Sequence, residues 1–372
     1  VSDVACRLER FLGSLSERGL EAMVVSAPVN VRYLTGFSGS AGLLVAGARG
    51  RLALLTDGRY DTQARLQLDQ GGISDLVELV VGGVGEQERA MGELVDTARV
   101  VGVEAERVTL AQAERWRSGP LARVTLQPVS GVVESLRLIK DASELDALAR
   151  SAQVADEALA DVLAEGVVGL AEREVAARIE HAMRRGGAED AAFETIVGSG
   201  PNGAMPHHRA GGRTLAEGDL VVVDWGARVG GYCSDATRTV ALGEVPAELA
   251  RAWEIVREAQ AAGIAAVAPG QQAAAVDEAA RQVISAAGLG DRFVHATGHG
   301  VGLEVHEAPR VGAGSSDILE VGMVLTVEPG VYLPGLGGVR IEDTVVVEDG
   351  GCRSLTRLPI ALDVPSATGR RA

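Results

Sequence analysis

Apolar residues recur along this chain with two distinct periods. Leu8, Phe11, Leu12 and Leu15 fall on one face at helical spacing, so the chain is predicted to open with a helix. Short apolar runs at 23–25, 43–45 and 52–55 read as strands, and further runs at 76–80 and 100–103 follow helical stretches. This alternation predicts a small α/β domain over residues 1–132. A boundary falls near 134–141, where Asp141 is placed as an N-cap with Glu144 at the capping-box position. Beyond it, Leu145, Leu148, Ala152, Ala155, Leu159 and Val162 form one stripe, and Val175, Ile179 and Met183 form the inner face of a second helix over 171–184. The same order returns later, with Leu249, Trp253, Val256 and Gln260 on one helix and Val276, Ala280, Val283 and Ala287 on the next.

The return is visible in the letters themselves. Residues 215–224 read LAEGDLVVVD and residues 319–328 read LEVGMVLTVE, an offset of 104 that also carries Gly166 to Gly270 and Gly186 to Gly290. The second domain, over 135–365, is therefore predicted to be a duplication, and the chain to be α/β (α+β) overall. Each copy holds a turn glycine (Gly218, Gly322), a β-branched run and a carboxylate (Asp224, Glu328). Each is followed by a glycine-rich turn and a second carboxylate (Asp235, Glu342). The two carboxylates of each hairpin are expected as cross-strand neighbours, about 4.5–5.5 Å apart. Four converging carboxylates repel one another unless cations lie among them.

Histidine sharpens this picture. Of six histidines, five lie between positions 207 and 306, and His299 sits in a glycine loop, Gly298-His-Gly-Val-Gly302. One neutral imidazole with four carboxylates suits Mn²⁺, Co²⁺ or Fe²⁺ at least as well as Zn²⁺. Two divalent cations about 3.5–4 Å apart would balance four negative charges and activate a water between them. His207, His295 and His306 are candidates to hydrogen-bond a polarised carbonyl or a substrate carboxylate. Arg340 is read either as a carboxylate binder or as a partner orienting Glu342 or Asp343. His181 is expected on a helix surface.

Composition narrows the class. A chain of 372 residues, 47% hydrophobic and 23% charged, reads as globular with two domains. A net charge of −16 disfavours nucleic acid and anionic membranes as partners. The three cysteines (Cys6, Cys233, Cys352) are widely spaced and show no disulfide or zinc-finger pattern, which fits a reducing, cytoplasmic compartment. Cys233 is read as a packing residue. No secretion signal or spanning apolar run is expected.

Five segments together resemble the metal motifs of the pita-bread metallopeptidases: Val223-Asp-Trp-Gly226, Ser234-Asp-Ala-Thr-Arg238, Gly298-His-Gly-Val-Gly302, Val327-Glu-Pro-Gly330 and Val339-Arg-Ile-Glu-Asp343. Gly198–Asn202 and Met205-Pro-His-His208 resemble the family's substrate-histidine segment. Asn30–Phe37 and Thr56–Tyr60 resemble the creatinase-type N-terminal domain of Xaa-Pro aminopeptidases and prolidases. The resemblance implies two divalent ions, Mn²⁺ or Co²⁺ foremost with Zn²⁺ or Fe²⁺ as options. Asp224, Asp235, His299, Glu328 and Glu342 would be the ligands, with Asp235 and Glu342 bridging. It further implies Glu328 as the proton relay, and His207, His295, His306 and Arg340 in the substrate site, with His306 at the scissile carbonyl. His208 departs from the family's usual residue, and His207 is preferred because it directly follows Pro206. The implied activity is an Xaa-Pro aminopeptidase acting on proline-containing peptides through a metal-bridged hydroxide, with an Xaa-Pro dipeptidase as the alternative and a homodimer expected. A methionine aminopeptidase is disfavoured by the first domain. A creatinase-like amidinohydrolase or a binding module is disfavoured by the complete ligand set.

Overall fold

The computed structural model describes residues 3–47 and 50–363. It divides into two compact units, Val1–Arg137 and Leu138–Ala372. The outermost residues of the spans read from sequence, 1–2 and 364–365, lie outside the described residues.

In the first unit, helices α1 (Asp3–Glu17), α2 (Pro28–Thr35), α3 (Asp61–Gln70), α4 (Val84–Leu94), α5 (Leu110–Ser118) and α6 (Glu134–Arg137) accompany strands β1 (Ala22–Val25), β2 (Gly42–Ala46), β3 (Leu52–Thr56), β4 (Val77–Val81), β5 (Val100–Glu104) and β6 (Thr125–Val129). The strands form one mixed sheet in the order β4-β3-β2-β1-β5-β6. Helix α2 starts with Pro28, whose missing N–H would have no intrahelical partner there, and stops at Gly36 in the left-handed region (φ 73°). Buried Glu104 accepts from the backbone N–H groups of Ser26 and Ala27, just ahead of that helix, and from the Asn30 side chain.

The second unit is the predicted duplication. Its first half runs α7 (Ala142–Glu165), α8 (Glu172–Arg185), β7 (Asp190–Ala191), β8 (Ile196–Ser199), β9 (Leu220–Trp225), β10 (Ala227–Val229), β11 (Tyr232–Cys233) and β12 (Ala236–Ala241). Its second half runs α9 (Ala247–Ala265), α10 (Ala273–Ala286), β13 (Gly298–Gly300), β14 (Glu307–Val311), β15 (Val324–Val327), β16 (Gly330–Leu333), β17 (Gly337–Arg340), β18 (Asp343–Glu348) and β19 (Gly351–Ser354). In each half a helix pair covers one face of an antiparallel sheet, β8-β9-β12 in the first and β14-β13-β15-β18-β19 in the second.

The reciprocal capping box at Asp141 and Glu144 forms as expected, each bond 3.0 Å. The predicted stripe of α7 is buried at Leu148, Ala152, Ala155, Leu159 and Val162, while Leu145 is half-buried. Against Ala155, Leu159 and Val162 pack Val175, Ile179 and Met183 of α8 and Trp225 of β9. Each fully buried aliphatic side chain contributes about 1.5–3 kcal/mol. On α10 the inner stripe is Val276, Ala280 and Ile284, so the face turns one position away from the predicted Val283, which is half-buried.

Register corrects one expectation. Asp224 stands directly opposite Thr237, not Asp235. Asp235 lies two positions further along the partner strand, diagonal to Asp224 but on the same face because the parity is equal. The position between the strands there is held by Gly226, where a Cβ would come 2.0 Å from Ser234 O. In the second half Val327 pairs with Asp343 and Gly330 with Arg340, which sets Glu328 opposite Glu342. The two hairpins are therefore equivalent in their first carboxylate and not in their second. The counterpart of Glu342 is Thr237, and these two residues form the bridge that joins the halves.

Candidate metal centre

The site forms where the duplicated hairpins meet. Glu342 N donates to Thr237 O (3.1 Å) and Thr237 Oγ1 donates to Glu342 Oε2 (2.7 Å), so the seam itself fixes one carboxylate. Glu342 and Asp235 are buried, and ligating atoms of Asp235, His299 and Glu342 all lie within 4.8 Å of one another. His299 Nε2 lies 3.6 Å from Asp235 Oδ2 and 3.4 Å from Glu328 Oε1. His299 comes from β13, where its Nδ1 donates to Gly300 O (3.0 Å), leaving Nε2 with its lone pair toward the carboxylates. Asp224, at the end of β9, lies outside that three-residue group but near enough to Asp235, Glu328 and Glu342 for its charge to act on each. Its Oδ2 accepts from Arg340 Nη2 at 2.6 Å.

Burial of so much like charge perturbs Asp235, Glu342, Glu328 and His299. Burial pushes the Asp235 carboxyl well above the usual range, and the charges of Glu342, Asp224 and Glu328 add to it. Glu342 is raised well above its usual range by burial, with Glu328 and Asp224 adding. Burial lifts Glu328 to about 8, Arg340 opposing and Asp224 reinforcing. His299 falls to about 4, chiefly through burial, and so remains neutral at working pH.

This donor set fits divalent cations. Asp224 Oδ1 and Glu342 Oε1 are buried with no hydrogen-bond partner among the described residues, a costly state for a carboxylate oxygen unless a cation takes it. Oxygen-rich donors with one imidazole match hard or borderline ions.

The remaining predicted residues divide into two groups. His207 and His306 line a cleft of about 290 Å³ together with Asp224, Asp235 and His299, and Phe193, Ile196 and Val305 supply its apolar wall. The His306 ring stands edge-on to His299, centroids 4.3 Å apart. His295 and Arg340 instead belong to a buried chain. Arg340 Nη1 donates to Tyr332 Oη (2.9 Å), Tyr332 donates to His295 Nε2 (2.8 Å), and His295 Nδ1 donates to Ala296 O (2.8 Å). Burial holds His295 at about 4, so both ring nitrogens are engaged as a neutral imidazole. Arg340 pairs with Asp224, whereas Asp343 pairs with Arg238 (2.7 Å). His181 is exposed on α8 and Cys233 is buried.

Sequence reasoning missed the residues that hold these in place. Glu172, fully enclosed on α8, accepts from Ser199 N and Oγ, Asn202, Gly211 N and His208 Nε2 (2.8 Å). Burial alone would raise its carboxyl, but these hydrogen bonds outweigh it and hold its pKa below the usual value. His208 is thus tied to Glu172 and half-buried, while His207 is exposed; both line the cleft. Thr237 and Tyr332 were missed as well, since neither has a charge or spacing that marks it.

A buried acidic cage with a neutral imidazole, closed across a duplicated seam, is a candidate divalent-metal site. A family model described as metallopeptidase family M24 matches residues 146–349, and one described as the creatinase/prolidase N-terminal domain matches residues 7–139. The chain belongs to metallopeptidase family M24, with a creatinase-type N-terminal domain ahead of a pita-bread domain, and its class of chemistry is peptide-bond hydrolysis. It is 35% identical over 351 residues to the Xaa-Pro dipeptidase of Pyrococcus furiosus, covering 94% of this chain and 97% of the relative. The solved Xaa-Pro dipeptidase from Bacillus anthracis matches with a TM-score of 0.91 at 36% identity, covering 97% of this chain and 99% of that one. The X-Pro aminopeptidase from Thermotoga maritima MSB8 matches with a TM-score of 0.86 at 33% identity, covering 94% and 99%.

Proposed function

We propose that this protein is an Xaa-Pro dipeptidase that holds two divalent cations on Asp224, Asp235, His299, Glu328 and Glu342. The observation that carries the reading is the cleft: about 290 Å³, lined by the candidate ligands Asp224, Asp235 and His299 together with apolar Phe193, Ile196 and Val305. That volume is at the small end for ligand clefts, and an apolar wall suits a pyrrolidine ring. The similarity to dipeptidases favours this over the aminopeptidase expected from sequence.

An Xaa-Pro bond offers no N–H to the enzyme. Recognition must therefore fall on the carbonyl, the ring and the termini. Bound cations supply Lewis acidity and acidify water at neutral pH. The chain's own groups supply the rest. His207 and His306 are placed to donate to peptide oxygen atoms along the cleft. Glu328, whose Oε1 lies 3.4 Å from His299 Nε2 within the cage, is the carboxylate assigned to take a proton from water and pass it to the leaving proline nitrogen. Arg340 holds Asp224 by a hydrogen bond, and Glu172 engages His208 Nε2, which leaves His207 as the preferred substrate histidine of the two that line the cleft. Mn²⁺ and Co²⁺ are the favoured ions from the donor set, and a homodimer in the cytoplasm is the accompanying expectation.

Hydrolysis of an Xaa-Pro dipeptide, an Xaa-Pro-Xaa tripeptide and an Xaa-Ala dipeptide, each with Mn²⁺, tests the reading. Turnover of the first alone, or at least about tenfold preference in kcat/KM, supports it. Preference for the tripeptide makes the protein an aminopeptidase, and equal cleavage of Xaa-Ala removes the proline specificity.

A further inference from the structure

Lys140 is the only lysine in a chain with 35 Lys and Arg residues, and it is not on the surface. Its side chain is 0% exposed, and its Nζ lies 2.8 Å from Glu307 Oε1, on a side chain 9% exposed. A second Nζ donor reaches Leu138 O at 3.4 Å. A guanidinium is a broad planar fork and an ammonium a compact point charge. The space around Glu307 admits the compact head, for even a Cβ on Gly302 would lie 2.3 Å from the Glu307 carboxylate.

A buried ion pair is a poor source of stability, because desolvation offsets most of the attraction. Its position supplies another reason for it. Glu307 follows His306 and opens β14, pairing with Gly300, the neighbour of His299, where the register shifts between His299 and Gly300. Lys140 is itself anchored. Its backbone N–H donates to Gly322 O (2.9 Å), at the turn before β15, the strand that leads to Glu328. One end of the pair is thus fixed to the strand approaching Glu328, and the other sits one residue from His306.

We propose that the Lys140–Glu307 pair is a positioning device for His306, holding its imidazole against His299 at the rim of the metal cage. Lys140 and Glu307 touch neither substrate nor ion in this role; they act through His306. The proposal rests on the assignment of His306 to the substrate site. Without the pair, the turn carrying His306 relaxes, and a displacement of about 1 Å is enough to cost on the order of 100-fold in rate.

The test uses the neutral pair Lys140→Met/Glu307→Gln in the full-length, metal-loaded protein. Removing both charges together avoids the unpaired buried charge that either single change would leave. Bound metal by elemental analysis and Tm are expected near wild type, while kcat on the preferred peptide falls about 10- to 100-fold and KM changes less than about threefold. In a His306→Ala background the same pair of changes is expected to cost no further kcat, because the route of action is gone. An equal loss in both backgrounds, or wild-type kcat in the double variant, overturns the proposal. If the double variant does not fold, Lys140→Arg, which keeps the charge but not the compact head, is read by the same kcat comparison. A crystal structure of the folded variant gives a readout independent of activity. Displacement of the His306 ring from its 4.3 Å contact with His299 supports the proposal, and an unmoved ring overturns it. Absence of any Xaa-Pro turnover in the wild type would instead sink the substrate reading and leave the ring position as the deciding measurement.

Discussion

Replacing Asp235 with Asn removes one buried negative charge and keeps the side chain's shape. With metal present, Asp235→Asn is expected to lower bound metal and to cut kcat by at least about 100-fold, since a proposed cation ligand is lost. In a chelator the sign reverses. Asp235 is destabilised by burial and by Glu342, Asp224 and Glu328, so the metal-free variant is expected to melt above the metal-free wild type. A lower Tm for the variant in chelator would contradict the repulsion described here. Glu328 makes a pH prediction of the same kind. Its folded pKa is raised from 4.5 to about 8, so its proton stabilises the metal-free fold fully below pH 4.5 and ceases to do so as pH rises through 8. Asp235 and Glu342 act in the same direction. His295 and His299, lowered from 6.5 to about 4, act in the opposite direction below about pH 6.5, so thermal scans in chelator should show Tm falling from pH 6.5 to about 8; a flat or rising profile in that window counts against the buried cage. Much of this was legible in the letters, because carboxylates and a glycine-flanked histidine advertise their chemistry. Thr237, Tyr332 and Glu172 were not legible. They act by hydrogen bonds alone, and nothing in sequence spacing says which carboxylate a threonine will meet.

Gly226 shows where pattern stops and strand geometry takes over. The 104-residue offset, from 224 to 328, gives the order of helices and strands in both halves, because apolar periodicity survives duplication. It does not give register, because the turn after each first carboxylate differs in length and a slip of two positions keeps the same face. Asp235 came to stand opposite Gly226, and Thr237 took the place equivalent to Glu342. Gly226→Ala would press a methyl group into Ser234 O, which a backbone cannot yield cheaply. The change is expected to cost about 1–3 kcal/mol in stability and to weaken cation binding by spreading Asp224 and Asp235, read by chemical denaturation and by ion titration. Stability loss with unchanged ion affinity would show that the diagonal spacing of these two carboxylates is not critical.

Among the described residues the hydrophobic clusters fall within one unit or the other, one such cluster in Val1–Arg137 and several around the duplicated halves. The candidate ligands all belong to the second unit. Calorimetry is therefore expected to resolve two transitions, with chelation lowering only one; two equal shifts would mean that the units unfold together. The two-unit plan and the acidic charge of −16 were readable from length, composition and motif order. The choice between dipeptide and longer substrate was not, since it depends on the shape of the cleft around His207 and Phe193, to which residues distant in sequence contribute.

The solitary lysine also turns the catalytic unit into its own reporter. Arginine does not react with amine-directed acylating reagents, and the one side-chain amine present is sealed from solvent. Acylation at Lys140 therefore requires the surrounding shell to part. A mass increment on the peptide that contains it would count those openings one molecule at a time, and its rate with and without bound cation would measure how firmly the ion keeps the shell shut.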